Sequence, residues 1–165
     1  MKKLAVVAAL LVAFPAFADR DSEFRTPLIG YEEVPSVSTR AKGELYLRVD
    51  GTGRFIDYVL TYSGLQGQVR QAHIHFAQEA VNGPIIIWLC GTPFNPGPEG
   101  TQPCPQSGTV RGVITASNVL ASPPSQMIAA GELSEMIAAM MNGAAYSNVH
   151  SDLAPGGEIR GQIRP

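Results

Sequence analysis

The sequence predicts an all-β protein, an antiparallel β-sandwich of about seven or eight strands with one helical connection. Three observations point there. Apolar side chains recur at every second position in several short runs. The 17 Gly and 13 Pro are many for a helical bundle. Only one segment carries helical spacing, and 165 residues suit a single core.

In chain order, the first eighteen residues read as a Sec-type signal peptide. Lys2 and Lys3 precede an apolar run from Leu4 to Phe14, and Ala16-Phe17-Ala18 is a small-x-small cleavage pattern. The run is shorter than the roughly 20 residues that span a bilayer, and Pro15 breaks it. Cleavage after Ala18 places a mature chain with no membrane span in the periplasm or outside the cell. Residues 19–27 read as an N-terminal linker and residues 28–165 as the folded domain.

Within that domain, Leu45, Leu47 and Val49 line one side of an extended run, and Asp50-Gly51-Thr52-Gly53 is a turn. Ile56, Tyr58, Leu60 and Tyr62 form the second stripe of a hairpin. Further strands are predicted at Val69–Phe76, Pro84–Leu89, Thr109–Thr115, Tyr146–His150 and Glu158–Ile163. Asn82-Gly83 reads as a hairpin turn between two of them. Leu133, Met136, Ile137, Met140 and Met141 recur at helical spacing, with Gly143 as the stop. Methionines are soft copper ligands, but a stripe at this spacing reads as a core face.

The two cysteines, Cys90 and Cys104, flank a loop rich in turn formers. In an oxidising compartment such a pair reads as a structural disulfide, since a thiolate metal site wants more sulfur or closer spacing. A net charge of −2 offers no basic surplus for nucleic acid.

All three histidines lie in two short segments. His73 and His75 are two apart on a predicted strand and so share a face, with Ala72, Ile74 and Phe76 turned to the core. His150 faces outward on another strand, beside Tyr146 and Asn148. If the strands are neighbours, three imidazoles converge on the outside of the sandwich as a surface metal site. Copper is favoured over zinc on raw affinity. Binding would weaken below pH ~6.5 as imidazoles protonate. The alternative is that these are surface histidines holding loop ends by hydrogen bonds.

The same segments resemble the CHRD domain, named after repeats in the developmental antagonist chordin and found also in secreted microbial proteins. The likeness runs through Leu28-Ile-Gly-Tyr-Glu-Glu-Val-Pro, Tyr62-Ser-Gly-Leu, Ala72-His-Ile-His, Asn82-Gly-Pro-Ile-Ile-Ile, Gly143-Ala-Ala-Tyr-Ser-Asn-Val-His and Pro155-Gly-Gly-Glu-Ile-Arg-Gly-Gln-Ile. The Cys90–Cys104 insert departs from the usual pattern. The resemblance implies an immunoglobulin-like sandwich and no agreed catalytic activity. A fainter likeness is to the copper half of Cu,Zn superoxide dismutase, with His73, His75 and His150 as ligands and Arg160 as an anion guide. No histidine is left for the bridging or zinc positions, and Arg160 is equally well a sandwich residue in an ion pair.

No nucleophile elbow, P-loop or dinucleotide fingerprint is present. Glu32-Glu33 reads as a solvated pair. Three functions stay open: an exported metal-binding protein, a non-enzymatic module contacting an extracytoplasmic protein or the envelope, and a copper redox enzyme.

Overall fold

A computed structural model describes residues 22–165. The signal peptide falls on residues outside the described ones. Eight strands form one antiparallel sheet: β1 (Ser22–Ile29), β2 (Lys42–Val49), β3 (Phe55–Ser63), β4 (Val69–Phe76), β5 (Ile85–Cys90), β6 (Gly108–Thr115), β7 (Ala145–Ser151) and β8 (Ile159–Ile163). Their order is β5-β4-β7-β8-β1-β2-β3-β6. The sheet folds over on itself into a nearly closed sandwich. Leu120 N–H donates to Ile86 O (2.9 Å) and Tyr58 Oη to Leu89 O (2.7 Å), tying β5 towards the other half. The predicted all-β class with one helix is borne out.

Alternation builds the core as expected. Leu45, Leu47, Ile56, Leu60, Ile74, Val149 and Ile159 are each fully buried between the two halves. The Asp50 carboxylate closes the β2–β3 turn by accepting from the backbone N–H of Thr52, Arg54 and Phe55. The helix α1 (Leu133–Met141) buries Leu133, Met136, Ala139 and Met140, so Met136 and Met140 of the methionine stripe are core packing, while Met141 is exposed. Gly143, at φ +66°, stands just beyond it.

Two expectations are corrected. The stretch read as a linker is a strand from Ser22 on, with Phe24, Thr26 and Leu28 buried in alternation and all eight residues paired with β2. Asn82-Gly83 is not a two-residue hairpin turn. The β4–β5 connection is an eight-residue loop whose turn is at Gln78–Val81, closed by Val81 N–H to Gln78 O. Gly83 lies where a Cβ would meet Phe76 O at 2.1 Å, so the loop needs glycine there for close backbone approach rather than for a turn. Register shifts flank the histidines: opposite β4, the β5 residues Leu89 and Ile86 are extra. Against β7 the extra residue is Arg70 of β4, before the histidines, so the alternation of β4 is kept from Gln71 to Phe76.

Gly161 shows how tightly β8 and β1 meet. A Cβ there would lie 2.1 Å from Pro27 O, a backbone atom that cannot step aside. Gly161→Ala is therefore expected to cost about 2 kcal/mol, measured as a shift of the urea midpoint with unchanged slope. Wild-type stability in that variant would refute the close approach.

Candidate metal centre

The sheet register places the site. Trp88 (β5), His73 (β4), Asn148 (β7) and Arg160 (β8) are cross-strand neighbours in one row. His75, Tyr146 and Gln162 make the next row, and Gln71 faces His150 in the row on the other side. Residues two apart share a face, so Tyr146, Asn148 and His150 stand together on the side away from the core.

The structure brings all three predicted histidines together. One ligand atom from each of His73, His75 and His150 lies within 4.8 Å of the others. His73 Nδ1 is 3.2 Å from His150 Nε2. Nitrogens bound tetrahedrally at about 2.0–2.1 Å from a zinc ion stand roughly 3.3 Å apart, so this pair already has the required spacing.

The site is not on the surface, as the sequence reading expected. His73 is 0%, His75 6% and His150 5% exposed. Loops roof this face of the sheet. Gly83 O accepts from His75 Nδ1–H (2.9 Å), and Pro155 O accepts from His150 Nδ1–H (2.9 Å). Asn82 Nδ2 donates to Val34 O, joining two of the covering loops. Burial holds the imidazoles neutral. It pushes His75 down to about 4 and His73 lower still, helped in each case by repulsion from neighbouring histidines. His150 is lowered by the same desolvation. The proton competition expected near pH 6.5 thus moves to lower pH.

The tautomers follow from the partners. A carbonyl can only accept, so His75 and His150 each carry their proton on Nδ1 and present a bare Nε2. Both bare nitrogens point at Asn148 Oδ1, at 3.0 and 2.9 Å. That oxygen is also an acceptor, and Asn148 is 2% exposed. Its amide faces the Glu33 carboxyl on the far side. In the metal-free site His150 Nε2 can accept from His73 Nδ1–H at 3.2 Å, but the lone pairs of His75 Nε2 and Asn148 Oδ1 meet with no proton between them. A cation satisfies such a set, and a ligating histidine whose other N–H is held by a carbonyl is the usual arrangement around metals.

Residues beyond the histidines complete the site. Tyr146 stacks on His75 (4.6 Å, 3° between planes) and carries the Arg160 guanidinium 3.4 Å over its other face. Arg160 donates to Val81 O and Asn82 Oδ1, with no carboxylate in salt-bridge contact among the described residues. The expected ion pair is thus replaced by a cation–π stack. Glu33 is buried rather than solvated, and desolvation raises its carboxyl to about 7 against the opposing pull of Arg160. Sequence reasoning missed Asn148, Glu33 and Trp88 as site residues. For Asn148 the signal was there: it is two residues from His150 and so on the same face.

Cys90 and Cys104 are joined as a disulfide, with Cα atoms 5.0 Å apart. No helix among the described residues is long and apolar enough to cross a membrane. Comparison with curated proteins and with solved structures finds no significant match. The CHRD domain family model matches residues 24–163, from β1 to the end of β8 and including all three histidines. This chain belongs to the CHRD domain family.

Proposed function

We propose that this is an exported metal-binding protein, with His73, His75 and His150 as ligands, Asn148 Oδ1 as a fourth donor, and copper as the preferred ion. The observation that carries the reading is the meeting of bare His75 and His150 nitrogens with a carbonyl oxygen at 3.0 and 2.9 Å in a buried space. His150 Nε2 has the His73 ring as a donor within reach, but His75 Nε2 and Asn148 Oδ1 face each other as acceptors; buried acceptors without a donor are costly, and a dication removes that cost. Imidazole suits copper and zinc alike, while copper leads in intrinsic affinity. Export is supported by the N-terminal sequence and by the disulfide, which belongs to an oxidising compartment. Burial of all three imidazoles favours a retained ion over one open to bulk substrate.

The test is the metal content of protein purified from the compartment to which it is exported. One ion per chain is expected, with copper displacing zinc in equimolar competition. The triple variant His73→Ala/His75→Ala/His150→Ala should hold none. A wild type that neither carries metal nor takes up Cu(II) or Zn(II) ends this reading.

A further inference from the structure

Two of the three imidazoles are anchored and one is not. His75 and His150 each have Nδ1 fixed to a backbone carbonyl. His73 turns Nδ1 to the centre, while its Nε2 is buried without a hydrogen-bond partner. Its one hydrogen-bond contact among the described residues, Nδ1 to His150 Nε2 at 3.2 Å, joins two of the proposed ligand atoms and is given up when an ion binds, so something else must set the ring in the metal-bound site. The ring packs edge-to-face against Trp88, with centroids 4.3 Å apart and planes at 80°. Trp88 is the only tryptophan of the chain. It is half-buried at the end of β5, two residues before Cys90.

From Cys90 the chain leaves the sheet and is brought back by the bond to Cys104. Gly91 N–H to Gln102 O and Cys104 N–H to Gly91 O fasten the base of this loop. Its middle lies on the indole. A Cβ on Gly97 would be 2.7 Å from Trp88 Cε3 and 2.7 Å from Thr101 Oγ1, and Gly97 has φ +71°. Only glycine fits there, on grounds of both space and backbone.

Building on the metal reading above, we infer that the Cys90–Cys104 loop is a strap that positions the third ligand. Gly97 presses the Trp88 indole against His73, and that packing aims the His73 nitrogen at the ion. Trp88 and Gly97 are positioning residues, not ligands. The strap takes the place of the hydrogen bond that the other two histidines have. Loss of such a supporting partner typically weakens metal binding by about 10–100-fold.

The probe is Cu(II), read by equilibrium competition with a chelator and by the number of nitrogens coupled to copper in the electron paramagnetic resonance spectrum. Wild type should show three. Trp88→Ala should bind at least tenfold more weakly, with two coupled nitrogens. Trp88→Phe keeps a ring edge on His73 and should restore the third nitrogen. Gly97→Ala and the pair Cys90→Ser/Cys104→Ser should shift affinity the same way as Trp88→Ala. If the cysteine pair does not fold, Gly97→Ala and the two Trp88 variants decide the matter. Variants that lose thermal stability but keep three nitrogens and wild-type affinity overturn the strap while leaving the metal site intact. A wild type that binds no Cu(II) overturns the metal reading, and the strap with it.

Discussion

Lowering the pH of the chelator-treated protein from 7 to 5 is expected to remove at least about 2 kcal/mol of folding free energy. Burial depresses all three histidines in the fold, His75 to about 4, against an ordinary value of 6.5. Between those values the unfolded chain binds protons that the folded chain refuses, so stability falls as pH drops below 6.5 and stops falling only below the folded values. At pH 5 His73 and His75 each contribute a loss of about 2 kcal/mol, and His150, lowered by the same burial, adds in the same direction. Glu33 works the other way. Its carboxyl is raised from 4.5 to about 7, so the folded chain holds that proton first and gains roughly 2 kcal/mol over the same interval. Three histidines outweigh one glutamate. Glu158, where desolvation is outweighed by hydrogen bonds from Ser151, Gln66, Thr39 and Gly67 so that its carboxyl is lowered, adds a further loss only below its ordinary 4.5. Urea denaturation at pH 7, 6 and 5 reads the slope directly. A stability that stays flat or rises would mean that these imidazoles are hydrated and titrate normally.

That buried character was the part of the site hidden in the sequence. Alternation in β4 and β7 was enough to put His73 and His75 on one face and His150 on the same side of the sheet, because side chains two apart cannot do otherwise on a strand. The roof over them comes from segments with no periodicity. Val81, Gly83 and Pro155 supply backbone carbonyls to Arg160, His75 and His150, and a carbonyl leaves no mark in a sequence. Glu33 looked solvated because it is half of a carboxylate pair in a loop-like stretch, yet the loop after β1 turns it inward beside Asn148. β1 was missed for a different reason. Its stripe includes Thr26 and its outward side holds Pro27, which has no N–H for a ladder. The strand tolerates this because its pairing with β8 is limited to Ile29 opposite Arg160. Trp88 was read only as part of a buried strand, since its contact with the loop depends on where a disulfide returns the chain.

The second large effect concerns residue 148, and it has opposite signs with and without metal. In Asn148→Asp a carboxylate replaces the amide at a 2% exposed position. At pH 8, without metal, it meets the bare nitrogens of His75 and His150 on one side and the largely ionised Glu33 on the other. Arg160 is its cross-strand neighbour, but that guanidinium is held over the Tyr146 ring and bonded to Val81 and Asn82. An unpaired buried charge of this kind is expected to cost about 4 kcal/mol. Saturating Cu(II) or Zn(II) should recover most of that loss, because the carboxylate becomes an anionic donor to the ion and binding adds to stability by mass action. Metal affinity should exceed that of wild type, while Asn148→Leu, with no donor atom, should bind more weakly than wild type. Urea denaturation of the three proteins with and without metal separates the terms. If Asn148→Asp stays as unstable with metal as without it, although wild type binds the ion, residue 148 is not a donor and only the three imidazoles hold the metal.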